Sequence, residues 1–481
     1  MNDRKLYYQL IPEKIKEALP AIEGIMAPEI KGYSRDCLKE VISIVACHVR
    51  KDEEATPLKM TYIKKLVPQG DKYLTALIDL GIIERTGYYV PGQAAYRYSF
   101  APDYESKYIA SFLDNAKLTR RIEKVFEQFT REATKKVRGH SEQVMYLRRL
   151  TIAPGFMKFI NENYSTDTDA FNKVLASATR IMNGDIFYKV DNTSGRFHSN
   201  VTNCTRGFRP YLRVNGEPLV NLDVKNCQPY LSTIILTDPL KASTFTENRA
   251  FAMVLQTLKV SQNEDVINYI SLVINGTFYE YLMKEFAAEG LHLDRSETKK
   301  QVLRILFARN RMPKNPINDT DEIISKLSEK KKKKREGYIK EYATIKKARE
   351  IFKDRFPTVH RIFSKVRGSE RGDRFTSFKR FAILLQRMES YLMLDVVLKR
   401  VYRELPGVVA ITIHDSIMTG VLTNNVEAVK NILTEELTNF VGFRPNVNIE
   451  GIIEEEEGEG RGKRGEEIKK QYDATTLISV N

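Results

Sequence analysis

The sequence predicts an α+β fold, and three observations predict it. Helical spacing of apolar residues runs through most of the chain, turn and β-branched residues gather from Gly184 to about Leu236, and a second strand signal follows at Val408–Thr419 with helices between. The 481 residues, 42% of them hydrophobic, are enough to give about two to four domains a core each. No stretch approaches the roughly 20 apolar residues that cross a bilayer, and MNDRKLYYQLIPEKIKEALP lacks the apolar run of a signal peptide. A cytoplasmic protein without a membrane partner is therefore expected. Cys37, Cys47, Cys204 and Cys227 show no CxxC pairing, and no histidines cluster near them, which argues against a disulfide frame or a zinc site. Seventy-seven Lys plus Arg against 62 Asp plus Glu leave a formal charge of +15, which favours a polyanionic partner.

Residues 1–105 read as a unit of their own. An apolar helix around Leu38–His48 and a shorter one at Thr61–Leu66 precede DKYLTALIDLGIIERTGYYVPGQAAYRYSF. That segment reads as a helix from Asp71 to Leu80, Gly81 as its left-handed cap, and two strands around a Pro91-Gly92 turn. Helix, helix, hairpin is the order of a winged helix, whose second helix enters a major groove, although protein-binding winged helices share the pattern. Residues 106–183 read as helical, with SFLDNAKLTRRIEKVFEQFTREATKK strongly basic. Residues 184–450 hold both strand signals. Within them Lys330–Arg335 follows RMPKNPINDTD and reads as an exposed insertion, either a solvated helix end or a phosphate-contacting element. Residues 451–481, with Glu454–Glu457 and GEGRGKRGEE, read as a charged, flexible tail.

The chemistry rests on three elements. In EPLVNLDVKNCQPYLSTIIL, Leu219, Val220 and Leu222 lead as a buried strand into Asp223, after which the pattern turns helical. A carboxylate at the end of a buried strand is exposed at the sheet edge, where its hard oxygens suit Mg²⁺; a turn or helix cap uses the same residue type. GVVAITIHDSIMTG is a run of β-branched residues broken by His414-Asp415. A charged pair inside a buried strand or tight hairpin costs on the order of several kcal/mol unless paired or metal-bound. Strand pairing would close these two carboxylates, about 190 positions apart, into one site. Two-metal phosphoryl transfer needs such a site, with ions roughly 3.5–4 Å apart. Between them, in DRSETKKQVLRILFARN, Arg295, Lys299, Leu303 and Phe307 fall along one helical face. Two cations, then an apolar and an aromatic residue, form a ladder for a triphosphate and a base, a pattern a generic basic amphipathic helix shares.

Together these elements resemble the palm and fingers of the family A DNA polymerases and the related phage-type single-subunit RNA polymerases. The Asp223 strand looks like motif A, Arg295-Ser-Glu-Thr-Lys299 through Phe307 like motif B, and His414-Asp415-Ser416 like motif C. SGRFHSNVTN, around Gly195 and Arg196, is similar to the Gly-Arg segment that precedes motif A, and FAILLQRMESYLML, around Gln386, to the helix with a template-contacting glutamine. The resemblance spans about Gly195 to Thr419. It implies a right-hand fold, with 106–183 as thumb and 184–450 as palm and fingers. Asp223, Asp415 and the Val224 carbonyl would hold two Mg²⁺ ions, or Mn²⁺. Arg295 would hold the outer phosphates, and Lys299 would neutralise charge and protonate the leaving pyrophosphate. Phe307 would stack near the nascent base pair, with Arg196, Gln386 and His414 positioning a primer end and a DNA template.

Departures from the family bear on the sugar. Family A DNA polymerases have Glu five positions after the motif A Asp, where it blocks a ribose 2′-hydroxyl; here Gln228 stands there. Gln is about as long and still excludes that hydroxyl, and Phe307 lacks the hydroxyl of the tyrosine found in the RNA polymerases. Both lean toward dNTPs and a DNA polymerase. The His-Asp-Ser and Arg-Ser-x-Thr-Lys forms look more like the RNA polymerases, so an RNA polymerase or primase using NTPs is the alternative. Ala308 does not discriminate. Nothing in the first 180 residues resembles a proofreading exonuclease, and the size and domain content suggest a phage or other mobile element. A catalytically silent, DNA-binding replication initiator is a rival from another class, opposed by the intact Asp223, Arg295, Lys299 and Asp415.

Overall fold

Leu219, Val220, Leu222 and Val224 are all buried, so the strand Glu217–Val224 is apolar on both faces and takes the middle of a sheet. In the computed structural model, which describes residues 6–48, 56–90, 95–260, 262–307, 329–368, 377–421 and 425–451, this strand organises an antiparallel sheet of six. Along one edge it pairs with Ser416–Gly420, in register Leu219↔Gly420 through Asp223↔Ser416. Along the other its start meets Leu212–Val214 and its end meets Val447–Glu450. Leu150–Ile152 extends the sheet beyond Leu212–Val214, and Ala410–Ile413 beyond Ser416–Gly420. The α+β mixture expected from the sequence is thus the observed one.

Helices cover the sheet. Cys227–Thr237 leaves the central strand through Asn226, held at φ +55°, and is buried along nearly its whole length. It packs on Glu264–Ile274 and Ser377–Ser390. Around this point Tyr269 meets Phe278, Phe356 and Phe363 edge to face, at centroid separations of 5.0, 5.6 and 5.9 Å. Those rings seat Phe278–Ala288, against which the helix Arg295–Phe307 packs.

Toward the N-terminus the observed order is helix Arg35–Cys47, short strand Thr56–Pro57, helices Met60–Leu66 and Gly70–Asp79, then an antiparallel hairpin of Ile83–Thr86 and Arg97–Phe100. Gly81 sits at φ +65° and donates to the Ile78 carbonyl, ending the helix as a left-handed cap does. The Pro91-Gly92 turn lies outside the described residues. The expected division at residue 105 is bridged, because Tyr8–Pro12 pairs with Tyr108–Phe112. The Asn183 amide also donates to the Tyr8 carbonyl and accepts from its N–H, each at 2.8 Å.

Residues 106–183 contain two strands that helical periodicity does not predict, Tyr108–Phe112 and Leu150–Ile152. The basic helix begins only at Ala116, where Asn115 caps it by accepting from the Lys117 and Leu118 N–H groups. The backbone of Lys330–Arg335 lies within the helix Glu329–Arg355, while RMPKNPINDTD, Ala308 and the tail from 452 onward lie outside the described residues. Among the described residues no helix is long and apolar enough to cross a membrane.

Candidate active site

The register Asp223↔Ser416 puts Asp415 one residue past the position facing Asp223, at the same end of the sheet. The Val224 N–H reaches the Asp415 carbonyl at 3.5 Å. Asp415 occupies the two-residue turn between Ala410–Ile413 and Ser416–Gly420, and its neighbour His414 is held at φ +54°. A non-glycine residue in that region costs about 1–3 kcal/mol and persists only where the surroundings impose it. Here the paired flanking strands do so, by closing the two-residue turn between them.

Both carboxyls are half-buried and both resist ionisation. Burial, then repulsion from Asp415 and Glu450, raises the Asp223 carboxyl to about 6, against the opposing charges of Lys299 and Arg206. Burial likewise raises Asp415, against its backbone hydrogen bond and the charges of Lys299, Arg196 and Arg209. Two adjacent oxygen donors that repel each other in a partly desolvated place suit a hard divalent cation, whose charge offsets both penalties. Among the described residues no group of three or more His, Cys, Asp and Glu gathers around one point, so the side-chain carboxylates of this candidate set are the pair alone.

The helix Arg295–Phe307 brings the cations. Asp294 Oδ1 accepts from the Glu297 N–H at 2.7 Å, and Glu297 reaches back to the Asp294 N–H, fixing the start of the helix. Thr298, Gln301, Val302, Ile305 and Leu306 are buried, which leaves Lys299 on the open side, where its charge acts on both aspartates. Arg295 is engaged instead by Glu280, at 2.7 Å, and lies 5.6 Å from the Tyr279 ring centroid. Phe307 is half-buried with its ring edge-on to Phe381 at 6.2 Å. Gln386 is half-buried on Ser377–Ser390, a helix that packs against Arg295–Phe307.

Arg196, Gln228 and His414 meet partners that sequence reasoning missed. Arg196 donates through Nε and Nη2 to the two oxygens of Glu389, both at 2.8 Å, and Gln228 Nε2 donates to the same carboxylate. Gly195 takes a left-handed φ of +73° in this turn, a backbone conformation that a side chain would strain. Asp191 accepts from Ser194 and from the Thr193 and Arg196 N–H groups and pairs with His198, whose ring lies edge-on to His414 at 5.5 Å. Burial and the nearby Arg196 lower His414 to about 4, so it is neutral at physiological pH. Arg209 is a further cation whose charge acts on Asp415 and Asp223. One signal for Glu389 was present: it falls on the apolar face of Phe381, Leu385, Met388 and Leu392, where a solvated glutamate has no place.

No protein-family model matches the sequence, and no curated protein matches it. Among solved structures the chain is similar to the POL domain of Pol1 from M. smegmatis, in complex with DNA primer-template and dNTP. The identity is 12% and the TM-score 0.32, over 60% of this chain and 54% of that one. This chain thus spans about half the length of the structure it matches. At that distance the chemistry of the site rests on this chain's own residues.

Proposed function

We propose that the protein is a template-directed nucleotidyltransferase, a DNA polymerase without proofreading that extends a primer on a DNA template from dNTPs. The observation that carries this reading is the strand register that sets Asp223 beside Asp415 at one end of the sheet, where the charge of Lys299 acts on both. Asp223, Asp415 and the Val224 carbonyl would hold two Mg²⁺ ions. Ions bound there supply a more acidic primer 3′-hydroxyl and stabilise charge on the attacking and leaving oxygens. Lys299 neutralises the triphosphate and gives a proton to the departing pyrophosphate, and Arg295, released from Glu280, takes the outer phosphates. Neutral His414 and the Arg196 turn hold the primer end, Gln386 the template, Phe307 the nascent pair, and Gln228 the wall beside the sugar. Catalysis is then positioning plus electrostatics.

In this reading 184–450 act as palm and fingers and 106–183 as a thumb. Residues 1–105 are a winged-helix-like DNA contact, fixed to the thumb by the strand pair across residue 105. Replication of a phage or other mobile element suits that size and content. RNA synthesis from NTPs is the second reading, favoured by Ser416 after the His-Asp pair. Primer extension on a DNA template, with dNTPs and NTPs supplied separately and Mg²⁺ or Mn²⁺ present, tests the proposal. Extension with dNTPs supports it, extension with NTPs alone moves the chain to the second reading, and no extension with either removes both.

A further inference from the structure

Glu389 is 1% exposed, yet it joins two residues that the polymerase reading assigns to different substrates. It sits at the end of Ser377–Ser390, just before a π-helical stretch, Tyr391–Val397. Arg196 fills one side of the carboxylate with two bonds of 2.8 Å, and the Gln228 amide takes a third. A carboxylate only accepts, so Gln228 must turn its nitrogen toward Glu389. Its Oε1 then faces away, buried and without a hydrogen-bond partner among the described residues. One side-chain bond therefore fixes the rotamer and the flip of Gln228.

We infer that Glu389 is a positioning residue for sugar selection: it turns Gln228 from a flexible amide into a rigid wall. The inference rests on the polymerase reading and adds to it. A glutamine has enough torsional freedom to swing aside for a 2′-hydroxyl, and bulk excludes only where it cannot move. The backbone at Arg196 depends on Glu389 less than its guanidinium does. Its turn is also held by Asp191, which accepts from the Thr193, Ser194 and Arg196 N–H groups, and by Arg387, whose Nε donates to the Thr193 carbonyl at 2.8 Å. Losing the Gln228 bond alone, with the Arg196–Glu389 pair intact, should therefore show in the choice of sugar more than in the KM for primer.

The test is the ratio of kcat/KM for dATP and ATP opposite one template base. Gln228→Met keeps the length of the side chain but cannot bond to Glu389, and it leaves the Arg196–Glu389 pair intact. It should lose discrimination about as Gln228→Ala does, on the order of 5- to 30-fold. Glu389→Met cuts the same bond from the other side and should move the ratio the same way, while the double variant should be no worse than either single one. Thermal melting checks that each variant is folded, and Gln228→Met decides the matter alone where Glu389→Met does not fold. If Gln228→Met keeps the parent ratio while Gln228→Ala loses it, bulk suffices and the clamp has no role. An unmutated chain that extends primers but prefers ATP overturns this inference and spares the polymerase reading, whereas one that extends nothing overturns both.

Discussion

An aspartate at the end of a buried strand is ordinarily a turn or a cap, and what separates Asp223 from that case is its neighbour. Leu219, Val220 and Leu222 are a legible strand and the break at His414-Asp415 is a legible anomaly, but neither says that the two strands pair at Asp223↔Ser416. Glu389 was harder still: its place on an apolar helix face is a local signal, but its partners are 161 and 193 residues away. Asp223→Ala and Asp415→Ala should each lower nucleotide incorporation by at least on the order of 10²–10³, because each removes an oxygen donor from a preorganised site. The folded state already disfavours charge at both positions, so neither substitution should lower the melting temperature measured without divalent cation. Near-normal incorporation by either folded variant would sink the assignment of this site.

At the scale of elements, the helix Arg35–Cys47 shows how an acid can be placed by its neighbours. Leu38, Val41, Ile42 and Val45 are buried as the apolar spacing predicts, and Glu40 is buried among them. The Tyr7 hydroxyl donates to its Oε1 at 2.8 Å and Gln9 Nε2 to its Oε2 at 2.9 Å. Burial nonetheless raises its carboxyl from 4.5 to about 7. The folded chain then binds this proton more tightly than the unfolded one. The contribution of Glu40 to stability is therefore best below pH 4.5, falls as the pH rises to about 7, and is level above it. The slope is at most about 1.4 kcal/mol per pH unit. Urea unfolding at pH 5, 6 and 7 should show the parent losing ground to Glu40→Gln at each step, and parallel curves would mean that Glu40 titrates normally. Long helices and the two carboxylate strands were legible because their periodicity is local. The three-residue strand Leu150–Ile152 was not, since only its partner Leu212–Val214 makes it a strand.

Over the whole molecule the charge of +15 is a statement about partners rather than about fold. The helix Ala116–Lys136 concentrates part of it, carrying seven basic residues against three acidic ones. Leu118, Ile122 and Phe126 bury one face, so Arg120, Lys124 and Arg131 stand exposed on the other. Backbone phosphates would meet this surface rather than the aspartate pair, and each one neutralised would release counterions. Affinity for duplex DNA should then fall with salt, with a log-log slope of about −0.9 for each phosphate neutralised. Asp223→Ala should leave that slope unchanged. Replacing Arg120, Lys124 and Arg131 by Ala together should weaken binding across unrelated sequences and make the slope shallower by about one for every phosphate these side chains neutralise in the parent. Fluorescence anisotropy of a labelled duplex, titrated between about 50 and 200 mM salt, separates the two variants. If the triple variant keeps the parent slope, this helix does not touch the duplex backbone, and the charge that does lies elsewhere on the chain.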